Sequence, residues 1–154
     1  MMNWEFQAAL QAITLRAESE MEAALKQMQM MWVFFLIAAF AYVGLAEFMP
    51  HHAATLKPEV YWIIFGLALA DLAVIVVMRN IYFGKADDVL RTSPNDPSAL
   101  LRWRQGQLTS MAIASAIVLF GLVLRFIGAS RVQAVPLYLL GIAAMVIFKP
   151  RAIQ

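Results

Sequence analysis

The stretch VYWIIFGLALADLAVIVVM, Val60–Met78, decides how this chain folds. It is apolar almost throughout, and Asp71 near its centre is its one charged residue. A bilayer core about 30 Å thick is crossed by roughly 20 apolar residues at about 1.5 Å each. Beyond a basic loop, a second run, QLTSMAIASAIVLFGLVLRFI (Gln107–Ile127), places Ser115 at about the same depth from the loop as Asp71. Two further runs, Met30–Met49 and Val132–Phe148, flank this pair. The last is the shortest and has Pro136 near its start, where a proline ring disturbs a helix least. None of the four alternates apolar with polar residues, so they predict helices and not barrel strands.

Composition agrees. Of 154 residues, 62% are hydrophobic and 14% charged, and the mean hydropathy is +0.70. A soluble domain rarely carries so little charge. The expected fold class is therefore all-α: a polytopic membrane protein with four transmembrane helices. A cytoplasmic amphipathic helix over residues 1–29 runs into the first span. Residues 30–154 form the transmembrane domain, with spans at about 30–49, 60–78, 107–127 and 132–148 and a cytoplasmic loop at 79–106. The chain has no cysteine, which excludes a disulfide framework, a thiolate metal site and a cysteine nucleophile. A net charge of +2 is too small to suggest a nucleic-acid partner. No basic leader with a short apolar core opens the chain, so the first span is expected to act as its own anchor.

Counting Lys and Arg orients the bundle. Nine (Arg16, Lys26, Arg79, Lys85, Arg91, Arg102, Arg104, Lys149 and Arg151) share one side, against Lys57, Arg125 and Arg131 on the other. The positive-inside rule then puts both termini in the cytoplasm of a bacterial inner membrane.

Residues 3–29 place Phe6, Leu10, Ile13, Ala17, Ala24 and Met28 on one helical face. No breaker separates this segment from the first span, so one helix from about 4 to 48 is expected, stopped by Pro50. Its four acidic and two basic residues disfavour anionic lipid headgroups and favour packing on protein, either its own loop or a partner. Small residues Ala38, Ala39, Ala41, Gly44 and Ala46 in the first span, and Gly66, Ala70 and Ala73 in the second, predict close helix approach. Asp96 and Pro97 predict the cap and first turn of the third helix. A weak repeat aligns Ala38–Leu45 with Ser115–Leu122 and Tyr61 with Tyr138.

Asp71 is the sharpest chemical feature. A charged carboxyl at the centre of a span costs about 2.5–3.5 kcal/mol, so such residues face protein or water. Antiparallel packing of its helix on the third would let Asp71 meet Ser115. One reading is a structural hydrogen bond that fixes register; the other is a proton or cation site. Glu47 and Arg125, near the outer ends of the first and third spans, suggest a salt bridge; otherwise Arg125 snorkels to the headgroups. His51 and His52, with Glu47 and Glu59 near, are poorly spaced for a metal, and none is expected. No histidine lies within a span, which argues against a bis-histidine haem. No phosphate loop and no nucleophile–base pair is present, so no catalytic residue is expected.

The stretch Ala112-Ile-Ala-Ser-Ala-Ile-Val-Leu-Phe-Gly-Leu-Val123 resembles the ion-carrying helix of ATP-synthase proteolipid (c-type) subunits. That helix typically has an acid, a small residue and then an aromatic-Gly-Leu-Val step, after a polar loop like Arg104-Gln105-Gly106. Gly66, Ala68 and Ala70 loosely match the family's glycine-rich partner helix. The family's acid falls on Ser115 here, so the resemblance lacks its key carboxylate. The whole chain also resembles uncharacterised bacterial four-span proteins with this third-helix pattern and a terminal Pro-Arg step, here Pro150-Arg151. The combined expectation is a non-enzymatic integral membrane subunit, a scaffold or accessory component of a homo-oligomer or larger complex. The alternative is a proteolipid-like ion-translocating subunit using Asp71 with Ser115. A small multidrug transporter would need an acid central to the first span. Expected partners are membrane lipids and other membrane subunits or copies of the chain itself; no cofactor is expected, and bound lipid is compatible with the sequence.

Overall fold

The computed structural model describes residues 4–48, 56–93 and 96–150. They fold as α1 (Trp4–Phe48), α2 (Pro58–Met78), α3 (Gly84–Thr92), α4 (Pro97–Phe126) and α5 (Arg131–Ile147), and a π-helical turn, Arg79–Phe83, joins α2 to α3. No strand occurs among the described residues. The breakers explain the boundaries. Pro58 sits in the first turn of α2 and Pro97 in that of α4. Asp96 caps α4: its Oδ1 accepts from Ser98 N at 2.8 Å and from Ala99 N at 3.4 Å. Ser130 and Gln133 form a reciprocal capping box on α5. Between these last helices Gly128 adopts φ 97°, a left-handed conformation that suits glycine.

Three segments, Met21–Phe48, Pro58–Leu90 and Pro97–Phe126, are long and apolar enough to cross a bilayer. The fourth apolar helix, α5, has 17 residues and is about 25 Å long, at the short end of the spanning range. Outward faces bear Phe34, Ile37, Phe40, Trp62, Ile63, Leu67, Val74 and Val77, all exposed. So much continuous apolar surface suits lipid and not water.

Helix α4 is the hub, packing on α1, α2, α3 and α5. Among the described residues the backbones of α1 and α2 make no close approach to each other, although each also reaches α5. The bundle is thus a rhombus with α4 and α5 on its short diagonal. This answers the weak repeat: α4 and α5 form a tight hairpin, whereas α1 and α2 form none, so the two halves are packed differently.

Small residues act elsewhere than expected. A β-carbon on Gly44 or Gly66 would meet nothing within 4 Å, and Ala70 and Ala73 are exposed. The close approach is between α4 and α5. A β-carbon on Gly121 would overlap the Tyr138 ring, and one on Gly141 would lie 2.9 Å from the Ala114 carbonyl oxygen. Of the small residues named above for the first span, Ala39 and Ala46 are buried.

A second core lies at the loop end. Met28 of α1, Ala86 and Leu90 of α3, and Ala99 and Trp103 of α4 are buried together, with Met21, Leu25, Met31 and Leu100 packed on them. The first helix therefore packs on its own loop over Met21–Met31. It also continues beyond that core, where Leu15 is 64% exposed. Pro50, His51 and His52 lie outside the described residues.

Candidate functional site

Asp71 shares a face with Ala68 and Ile75, the two buried residues of α2, at spacings of three and four. It is half-buried on a helix that packs against α4 and α5. Ser115 is buried at 9% exposure, but no hydrogen bond joins it to Asp71. The reason is angular. Arg104, Leu100 and Leu101 line a pocket with Ala23 of α1, whereas Ala99 and Arg102 line another with α3. Three helical turns on from Arg104, Ser115 continues the face of α4 that carries Arg104, while Ser110, Ile113 and Ile117 continue the face of Ala99, Arg102 and Gly106. Ser110 satisfies itself, its Oγ donating to Gly106 O at 2.9 Å.

At the far end of the bundle from the loop, the expected Glu47–Arg125 bridge is replaced. Glu47 Oε2 pairs with Arg131 Nε at 2.7 Å. Arg131 side-chain exposure is 67% and that of Glu47 35%, so this is a surface pair. Arg125 does not snorkel. It is 6% exposed and folds back over the α4–α5 turn, where Nη1 donates to Ala129 O at 2.7 Å. Gly128 and the capping box bring that carbonyl within reach. Tyr138 lays its ring against α4 at Gly121, one turn before Arg125, and its hydroxyl is buried without a hydrogen-bond partner. Arg131 and Tyr138 were missed as site residues. The signal for the first was present: Ser130-Arg-Val-Gln133 is a capping-box pattern that sets Arg131 at the first turn of α5.

At the loop end, Trp32 Nε1 donates to Met145 O at 2.8 Å, tying α1 to α5. Lys149 Nζ lies 5.1 Å from the Trp32 ring centroid and Arg79 Cζ 5.0 Å from that of Phe148. These cation–aromatic contacts suit side chains at the edge of an apolar slab. Gln107 is buried with its Oε1 unpartnered. Hydrogen bonds from Ser98, from its side chain first and then its backbone, hold the Asp96 carboxyl below its ordinary value. No group of three or more His, Cys, Asp or Glu suited to a metal occurs among the described residues. No protein-family model matches the chain, and neither a curated protein nor a solved structure matches it significantly.

Proposed function

We propose that the protein is a non-enzymatic integral membrane subunit, a packing or accessory component of a homo-oligomer or larger membrane complex. The observation that carries this reading is the outward stripe Gly66, Ala70, Ala73 on α2. It is exposed, one turn apart at each step, and has no neighbour within 4 Å of a β-carbon at Gly66. In lipid, small residues let a helix of another subunit approach closely, and packing then drives association. The projecting start of α1 supports the same reading. Trp4–Glu20 continues α1 by 17 residues beyond the packed cluster beginning at Met21, and Leu15 within it is 64% exposed. A partner, or a second copy, supplies the missing surface. Four spans in a bacterial inner membrane, with both termini cytoplasmic, remain the arrangement that the charge distribution supports.

The test is native mass after gentle extraction, with Gly66→Leu as the perturbation. Wild type should migrate above monomer mass, and Gly66→Leu should shift toward monomer without losing thermal stability, because its own fold has open space there. A wild-type monomer, or an unshifted Gly66→Leu oligomer, refutes the reading. The proteolipid-like alternative rests on Asp71 alone, since no hydrogen bond joins it to Ser115. Asp71→Asn should abolish ion movement in reconstituted vesicles if that alternative holds, and should leave assembly intact.

A further inference from the structure

Arg125 uses one of its nitrogens and buries the rest. Nη1 donates to Ala129 O, while Nε and Nη2 are buried without a hydrogen-bond partner. These two nitrogens form one edge of the guanidinium. Their N–H bonds run parallel and match two oxygens of a phosphate or carboxylate. The Tyr138 hydroxyl, on the residue packed one turn before Arg125, is likewise buried and unpartnered. Gly121, one turn before Arg125, lets the Tyr138 ring lie against α4.

Charge points the same way. Arg125 and Arg131 bring two positive charges to this corner and Glu47 one negative charge, already paired with Arg131. The corner is left with one excess positive charge, and it is the buried one. The start of α5 adds the positive end of a helix dipole. A buried guanidinium with an unpaired edge is costly, and an oxyanion would satisfy both its charge and its geometry. Arg125 lies in the last turn of α4, at the end of an apolar segment, the depth at which headgroup phosphates begin. The Glu47–Arg131 pair, with Arg131 two residues on from Ala129, is partly exposed, so this corner borders the surface.

We infer that the Nε–Nη2 edge of Arg125, with the Tyr138 hydroxyl, binds a phosphate-type oxyanion, either the phosphodiester of a lipid headgroup or free phosphate. The experiment uses the full chain in mild detergent. One arm adds phosphatidylglycerol and reads retention by native mass spectrometry. The other titrates sodium phosphate and reads the melting temperature. Arg125→Lys keeps the charge and removes the fork, and should weaken binding about 10-fold or more. Tyr138→Phe should weaken it about 3-fold to 10-fold, and serves if Arg125→Lys fails to fold. Lys57→Gln, an exposed cation on the same side, should change nothing.

Retention of lipid with no response to phosphate identifies the headgroup as the source. A response to phosphate alone identifies the free anion. No binding of either probe by wild type overturns the inference. So does equal binding by wild type and Arg125→Lys, or an equal loss in Lys57→Gln. Phosphate binding gained only in Glu47→Gln would show that Glu47 itself occupies the fork, and would also overturn it.

Discussion

Gly141→Ala tests the short diagonal of the bundle. The added β-carbon would lie 2.5 Å from Val118 Cγ2 and 2.9 Å from both Ala114 O and Val118 N. Ordinary contact begins near 3.4 Å, so the two backbone atoms are about half an ångström too close. A flexible side chain could turn away, but a helix backbone cannot, so α4 and α5 must separate. Overpacking of this kind costs about 1–3 kcal/mol, and it exceeds the roughly 1 kcal/mol that alanine gains over glycine in a helix. The net expectation is a loss of up to about 2 kcal/mol. Gly44→Ala and Gly66→Ala are internal controls. Their β-carbons meet nothing within 4 Å, so only the helical gain remains and they should be neutral or slightly stabilising. Reversible unfolding in mixed micelles, followed by tryptophan fluorescence, measures all three. If Gly141→Ala were as stable as Gly66→Ala, the α4–α5 contact described above would be wrong.

The second core gives a separable outcome: Trp103→Ala should cost about 3–5 kcal/mol locally, seen as faster proteolysis of α3 and the start of α1 with the apolar helices still protected. Trp32→Phe removes the donor to Met145 O and should cost about 0.5–1.5 kcal/mol in the same micelle assay; no change would argue against the α1–α5 tie. Glu47→Gln removes a surface pair and should cost under about 1 kcal/mol, in contrast to a large loss if Glu47 were instead the partner of buried Arg125. The Asp96 cap has a pH signature. Its folded carboxyl titrates below the ordinary value of 3.8, so its contribution is present above that value and is lost as pH falls through the folded one. Acidification below about pH 4 should therefore loosen the start of α4, detected by amide exchange at Ser98 and Ala99, and Asp96→Asn should abolish that dependence while keeping a cap.

The long helices and their caps were legible in the sequence because they rest on local physics, whereas α3 (Gly84–Thr92) falls within the stretch read as loop 79–106. Apolar run length, Pro58, Pro97, Asp96 and the Ser130–Gln133 box each act within a few residues of where they stand. The unbroken helix from Trp4 to Phe48 followed from the lack of a breaker, and its packing at Met21–Met31 from the acidic, amphipathic pattern. Tertiary structure alone decided which face meets which neighbour. A residue count sets Asp71 and Ser115 at about the same distance from the loop, but in the fold no hydrogen bond joins them, although both helices pack together. Charge pairing could be drawn from Glu47 to Arg125, yet the turn at Gly128 draws Arg125 onto a carbonyl and leaves Glu47 to Arg131. Small residues look alike in sequence wherever they fall; Gly121 and Gly141 are packed because another helix is there, and Gly66 is open because none is. Inside a bilayer, apolar side chains do not report which of them touch protein, since lipid and protein interior are nearly equivalent surroundings.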